Sequence, residues 1–289
     1  MDDLSIYHPS NLLYTQEQMS RYKPGGFHPV CLGDTFKEGR YEICHKLGWG
    51  GYSTVWLAYD KLLEMWVSIK VKSATQDSLE LGALRALHKT AASQYIVKQI
   101  DDFVHQGPNG SHQCLVFEFL GPSVDTIAYS YAQFGDQLDP EAIFRMTTQL
   151  LQGLSLIHAA GYIHGDISGS NLAYTCPGLA HLSRDDLFEV IGIPETEDLI
   201  RIDGQPLEPG VPKQLVERAD WSNWVDEDEE DIRIIDFGEV FVAGSNPGFL
   251  AQPPELRAPE TIFPTHLDHR VDLWSAGITV CSFVRASIN

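Results

Sequence analysis

His164-Gly165-Asp166-Ile167-Ser168-Gly169-Ser170-Asn171 comes directly after a stretch, Glu141 to Ala160, in which Ile143, Met146, Leu150, Leu154 and Ile157 recur at steps of three and four. That period predicts a long amphipathic helix delivering the chain into a polar loop. Asp166 and Asn171 stand five residues apart on the loop. The carboxylate can orient or deprotonate a hydroxyl, and the amide oxygen can bind a hard metal ion. Taken alone the loop has a plainer explanation, because His164 would serve equally well as a packed core histidine.

Further along, Ile234-Ile235-Asp236-Phe237-Gly238 reads as a strand ending in a carboxylate, a placement that suits a magnesium ion bridging phosphates. It would also do as an ordinary turn after a strand. Arg257-Ala258-Pro259-Glu260 comes next, then Asp272-Leu273-Trp274-Ser275-Ala276-Gly277 in an apolar helix starting at Val271. Asp272 by itself could be a helix cap.

Upstream, Gly48-Trp49-Gly50-Gly51-Tyr52-Ser53-Thr54-Val55 lies between two predicted strands, Tyr41 to Leu47 and Thr54 to Tyr59. Glycines in such a turn let main-chain N–H groups approach phosphate without side-chain clash. Glycine turns are common in hairpins, so the loop gains weight from a lysine downstream. Lys70 sits inside a third predicted strand, Trp66 to Val71, flanked by Val67, Ile69 and Val71. A lysine there needs counter-charge, since burying an unpaired ammonium is costly. Phosphate oxygens and Glu80, on a predicted helix from Ser78 to Lys89, would supply it. Gln113 to Glu118 reads as a buried strand.

The flanking regions are less regular. Residues 1–30 read as an irregular leader broken by Pro24, Gly25 and Gly26. Residues 176–225 carry Pro177, Pro194, Pro206, Pro209 and Pro212 and run into an acidic stretch, Asp226 to Asp231. They read as an insertion, partly ordered at best. Composition is that of a globular protein, 43% hydrophobic and 21% charged, but the net charge is −20. Such acidity argues against nucleic acid and anionic membranes as partners and suits basic ones, although much of it can be simple solvated surface. The five cysteines, Cys31, Cys44, Cys114, Cys176 and Cys281, are scattered without a C-x-x-C pair. Free thiols in a reducing compartment are expected, not a zinc or disulfide framework. No apolar leader or membrane-length run is present, so an intracellular, cytoplasmic or nuclear location is expected.

Each motif has a plain structural alternative; the ordered set does not. Glycine loop, strand lysine, His-Gly-Asp loop, Asp-Phe-Gly and Ala-Pro-Glu form the signature series of protein kinases. From about Tyr41 onwards the chain resembles that superfamily. More narrowly it resembles the SR-protein kinases and their fungal relatives, through Gly25-Gly26-Phe27-His28-Pro29-Val30, Leu32-Gly33-Asp34, Gly39-Arg40-Tyr41, His45-Lys46-Leu47-Gly48-Trp49-Gly50 and Ser53-Thr54-Val55-Trp56-Leu57. The placement of the insertion is also similar. The resemblance implies an α+β, bilobal protein-kinase-like fold. Residues 1–40 would be an extension, 41–120 a β-rich N-lobe, and 121–289 a mostly helical C-lobe lacking its last helices, with the acidic insertion at about 176–231.

By the same resemblance Asp166 is the catalytic base. Lys70 holds the α- and β-phosphates and pairs with Glu80. Leu47 and Val55 sandwich the adenine of ATP, with Gly48, Trp49, Gly50 and Gly51 in the phosphate-covering loop. Glu118 and Leu120 belong to the hinge that reads adenine through main-chain groups. Asn171 and Asp236 are the magnesium ligands. The implied activity is serine/threonine phosphorylation of basic Arg/Ser-rich proteins linked to mRNA processing.

Four features depart from the family pattern. Gly165 replaces the usual arginine, so no activation-loop phosphate should be needed; Ser245 is the only hydroxyl residue between Asp236 and Glu260. Ser168 replaces the phosphate-facing lysine, which should slow turnover. His-Gly-Asp also occurs in small-molecule phosphotransferases, but those generally lack the Ala-Pro-Glu present here. A kinase ending at Asn289 would leave Glu260 without its usual arginine and leave apolar surface uncovered. The alternatives in view are a nucleotide-binding pseudokinase or scaffold, and a small-molecule kinase.

Overall fold

The computed structural model describes residues 4–75, 79–89, 93–224, 230–245, 247–248, 250–262 and 267–286. In chain order the strands are β1 (Thr35–Phe36), β2 (Tyr41–Trp49), β3 (Ser53–Asp60), β4 (Met65–Lys72), β5 (Gln99–Gly107), β6 (Gly110–Glu118), β7 (Leu120–Ser123), β8 (Tyr162–Ile163), β9 (Leu172–Thr175), β10 (Thr196–Asp198), β11 (Gln214–Val216), β12 (Ile232–Ile234) and β13 (Phe241–Val242). The helices are α1 (Asn11–Thr15), α2 (Glu80–Leu87), α3 (Val124–Phe134), α4 (Pro140–Ala159), α5 (Arg184–Ile191) and α6 (Arg270–Ala286). The chain forms two compact units, one from residues 1–77, 99–119 and 177–225, the other from 78–98, 120–176 and 226–289.

The first unit is built on an antiparallel sheet in the order β1-β2-β3-β4-β6-β5. Register sets its two faces. Trp56, Ile69 and Val116 align across β3, β4 and β6, and all three are buried in one core with Ile43, Ala58, Val67 and Val71. Val55, Lys70 and Leu115 form the adjacent row and so point to the opposite face, because side chains alternate along a strand.

The leader is largely irregular, as the sequence reads, but it is packed, and the described part of the insertion is folded, which corrects its reading as partly ordered at best. Leu12, Leu13, Met19, Tyr22 and Phe27 of the leader share a core with Leu199 and Leu215 of the insertion. In the insertion, Ser183 caps α5 by accepting from the Asp186 N–H at 3.2 Å. Helix α5 buries Leu187 and Ile191. Phe188 lies edge-on to His45 at 5.9 Å, and the Trp66 indole donates to the Leu182 carbonyl at 2.9 Å. Trp221, in the left-handed region at φ 57°, stacks on Phe119. These elements are short and bury at most two side chains each, so neither periodicity develops strongly enough to be read. Residues 226–229 of the acidic run lie outside the described residues.

In the second unit, α4 runs from Pro140 to Ala159 and buries Ile143, Met146, Leu150, Leu154 and Ile157, as its spacing predicts. Asp139 caps it by accepting from the Glu141 N–H, and Pro140 takes the first helical position, where no N–H is needed. Gly153 lets β12 approach closely: a Cβ there would lie 2.6 Å from Ile234 Cδ1. Helix α4 packs on α6, and α2 packs on the one-turn 3₁₀ helix Phe237–Glu239. The small sheets β12-β9-β7 and β13-β8 complete the frame around the loop of Asp166. Among the described residues no helix is long and apolar enough to cross a membrane.

Candidate active site

In the second unit the loop after α4 is organised by one buried carboxylate. Asp272, near the start of α6 and fully buried, accepts the His164 N–H at 2.8 Å and the Gly165 N–H at 2.9 Å. It also bonds His158 Nε2, on α4, at 2.8 Å. Gly165 is held at φ +80°, which disfavours any L side chain, and a Cβ there would lie 2.7 Å from the main-chain oxygen of Glu239. The arginine usual at this position would therefore be strained; the glycine belongs to the loop's geometry.

His164 is locked in turn. Its Nδ1 accepts the Asp166 N–H at 3.3 Å, which puts the ring proton on Nε2, where it is donated to the Ile235 carbonyl at 3.1 Å. Its ring meets buried Phe237 edge-on at 4.8 Å. Asn171 folds back on the loop, its Nδ2 donating to the Asp166 carbonyl at 2.8 Å and to the Asp166 carboxylate at 3.0 Å. The Ile235 N–H donates to the Asn171 carbonyl at 3.0 Å, joining this loop to the segment carrying Asp236. Asp236 itself is at φ 57°, with its Oδ1 accepting from the Gly238 N–H at 3.1 Å. His164, Asp166, Asn171, Asp236 and Phe237 thus form one constellation.

Burial raises the Asp166 carboxyl above the ordinary carboxylate range, and the nearby Asp236 charge adds to this; His164 and the Asn171 hydrogen bond pull the other way. Two mutually repelling carboxylates beside an asparagine oxygen fit a hard divalent cation. Asn171 commits its nitrogen to Asp166 and leaves Oδ1 as the oxygen donor. Among the described residues no group of three or more His, Cys, Asp or Glu forms a metal site unaided. One carboxylate and one amide supplemented by phosphate and water oxygens is the mode magnesium favours.

In the first unit, β2 and β3 enclose the glycine loop, closed by a Gly50 N–H to Ser53 carbonyl bond of 2.9 Å. Gly48, Gly50 and Gly51 have no positive φ, and a Cβ at any of them would meet nothing within 4 Å. The fold does not demand glycine there, and the space left open suits a close-approaching ligand. Leu47 and Val55 are half-buried, and Val55 pairs with Lys70 in the ladder. Lys70 is buried on β4, and Glu118 closes β6 opposite Val67. Glu80 is buried in the first turn of α2 and Leu120 opens β7, both in the second unit.

The sequence reading gave Asp272 only as a possible helix cap, and passed over two further side chains that shape the site, His158 and Asp125. His158 and Asp272 brace the loop through the bonds given for Asp272. Asp125, in the first turn of α3, accepts from Ser170 Oγ at 2.7 Å, and its carboxylate fills the space a side chain at Gly169 would need, 2.0 Å from the Cβ position. The signal for Asp272 was present in Asp-x-Trp-Ser, but nothing local to Asp125 marks it.

The description "protein kinase domain" fits residues 41–179 of the chain. Among curated proteins the chain is similar to protein kinase dsk1 of Schizosaccharomyces pombe, 36% identical over 167 residues. It is also similar to serine/threonine-protein kinase SKY1 of Saccharomyces cerevisiae, at 35% over 170, and to human SRSF protein kinase 3, at 36% over 179. These alignments take in 54%, 54% and 58% of this chain but 30%, 23% and 31% of the relatives, so the chain spans less than a third of the length of each. Among solved structures, a crystal structure of a kinase domain superposes with a TM-score of 0.60 at 20% identity, covering 89% of this chain and 67% of the other. The fold is thus the α+β protein-kinase type.

Proposed function

For a chain that carries a protein kinase domain akin to the SR-protein kinases, we propose an ATP-dependent serine/threonine protein kinase that phosphorylates basic, Arg/Ser-rich proteins of the kind linked to mRNA processing. The observation that carries this reading is the Asp166 constellation, in which a partly buried carboxylate is aimed by Asn171 and braced through His164 and Asp272. Preorganised polar groups of this kind are what phosphoryl transfer asks of a protein, since catalysis there is mainly positioning and charge stabilisation.

Asp166 orients the substrate hydroxyl and accepts its proton as the hydroxyl oxygen bonds to the γ-phosphorus. The bond from that phosphorus to the ADP oxygen breaks, and the proton passes from Asp166 to solvent. Lys70 binds phosphate oxygens, and the open glycine loop covers them with main-chain N–H groups. Asp236 and Asn171 would hold magnesium, which when bound neutralises charge on the phosphates. The acidity of the chain, net −20, suits a basic substrate.

The β13–β8 pairing supports activity without an activating phosphate. Phe241 and Val242 pair with Ile163 and Tyr162, and the Ala243 N–H donates to the Gly161 carbonyl at 2.8 Å. Main-chain bonds thus tether the start of the segment after Asp-Phe-Gly.

Transfer of labelled phosphate from ATP to an Arg/Ser-rich peptide tests the proposal. Transfer that disappears in Asp166→Asn, with ATP·magnesium still raising the melting temperature, is the expected result; no thermal shift and no transfer would overturn it. Ser168→Lys restores a phosphate-facing cation, and kcat should rise by roughly the 10²-fold that one such donor supplies elsewhere.

A further inference from the structure

Trp49, inside the glycine loop, is gripped by two cations that come from outside the loop. The Lys46 ammonium lies over the ring at 5.0 Å from its centroid, and the Arg218 guanidinium of the insertion lies at 5.9 Å. Residues 46 and 49 of a regular strand would point to opposite faces, being an odd number apart. A register shift between Lys46 and Gly48 in the β2–β3 ladder removes that obstacle and turns Trp49 to the side of Lys46. Trp56, the cross-strand partner of Lys46, adds a second ring 5.5 Å from the ammonium.

Lys46 cannot swing away freely. It is 2% exposed, and its ammonium is ion-paired with Glu17 of the leader, itself 6% exposed. Gln16 Oε1 accepts from the same ammonium at 2.9 Å. Glu17 also accepts from the hydroxyl of Tyr22, a member of the core that the leader shares with the insertion. Arg218 arrives on a main-chain link: residues 46 and 218 form a parallel bridge, and the Ala219 N–H donates to the Lys46 carbonyl at 2.8 Å. By contrast Tyr52, on the same loop, is half exposed, and the space beside the loop glycines is open.

We propose that Trp49 is a positioning residue: clamped by Lys46 and Arg218, it ties the glycine loop to the leader and the insertion, so that these two segments set the loop's position and its hold on nucleotide. The link to nucleotide rests on the kinase reading; the clamp itself does not. Leader and insertion thereby act as one brace, since Glu17 of the leader holds the lysine and the insertion supplies the arginine.

Hydrogen–deuterium exchange of the full chain without nucleotide tests the clamp. In Trp49→Ala, amides 48–53 should exchange roughly 3- to 30-fold faster, the range one to two such contacts sustain, and leader residues 16–22 should quicken with them. Arg218→Gln should give roughly a 2- to 5-fold effect on the loop, and Trp49→Phe should keep most of the protection. Arg184→Gln removes a different insertion contact, to Glu42, and should leave the loop at wild-type rates. Loop exchange unchanged in both Trp49→Ala and Arg218→Gln would overturn the clamp, as would equal effects of Arg218→Gln and Arg184→Gln. Should Trp49→Ala fail to fold, the exposed Arg218 variant decides. In kinetics the KM for ATP should rise in Trp49→Ala and Arg218→Gln while kcat holds; an equal fall of kcat in both would overturn the positioning role. If the unaltered chain binds no nucleotide, the kinase reading fails, and the exchange data still decide the clamp.

Discussion

The loop of Asp166 and the loop of Trp49 are held by opposite means. The first is gathered by one fully buried carboxylate, Asp272, that collects two main-chain N–H groups and a histidine. Its bracing groups come from a few motif positions. The second leaves open space around its glycines and holds a single aromatic ring between a lysine of its own strand, itself paired with the leader, and an arginine from the insertion. On the proposed function, rigid main-chain anchoring would suit a carboxylate aimed at a hydroxyl, and a side-chain clamp on a glycine loop would suit a cover that opens and closes around a ligand.

The contrast breaks most visibly at Asp272. Asp272→Ala leaves two buried main-chain donors and the part-buried His158 unsatisfied and should cost about 3 kcal/mol or more, lowering the melting temperature by roughly 6–12 °C. Amide exchange should rise at residues 164–166 and stay at wild-type rates at 48–53. If both loops quicken together, they are one cooperative element and the distinction is lost.

Gly165→Arg sharpens the same side. The left-handed φ and the 2.7 Å approach to the Glu239 oxygen predict a loss of about 2–3 kcal/mol in denaturant midpoints. A variant of unchanged stability would mean the loop readily adopts another conformation.

Acid attacks the other side, where the leader meets the sheet. His28 sits 4.5 Å from His105 and 5.0 Å from His112, ring to ring. Burial, then repulsion from the two neighbours, pushes His28 down to about 3, and burial lowers the other two as well. Asp34 opposes the shift of His105, and the Lys72 carbonyl bonds His112. Folded values below the unfolded ones mean the unfolded chain takes up protons first. Stability is therefore full above about pH 6.5 and falls as the pH drops toward the folded values. His28 alone should cost about 2 kcal/mol between pH 7.5 and 5, read from urea midpoints, and His28→Phe should flatten that slope.

The smallest effect is expected at Arg184. Its ion pair with Glu42 joins the insertion to β2 at the surface, and Arg184→Gln should cost no more than about 0.5 kcal/mol. A larger loss would show that the insertion hangs on that contact more than on its buried aromatic packing.

Much of the frame was legible in the chain itself. The spacing of Ile143 to Ile157 gave a helix within a residue of its observed ends, and the alternation around Lys70 gave β4. Strand β5 was missed because nearly all its residues are only half-buried, so no clean alternation marks it. Helix α3 buries only Val124 and Ile127, too little to show a period. In the site, residue type and order marked Asp166 and Asn171 as candidates, whereas the left-handed turn at Gly165 and the packing of Asp125 on Gly169 left no mark in the sequence.

The motif residues, then, could be picked out from the sequence alone, because residue type and order along the chain mark them. The tertiary structure alone decided that the leader and insertion fold together and that Glu17, Lys46, Trp49 and Arg218 meet. The physical reason is distance along the chain. Contacts such as Glu17 with Lys46 and Trp49 with Arg218, and the core that Leu13 shares with Leu215, leave no local pattern, since what stabilises them is the burial of side chains that come together only once the sheet has formed.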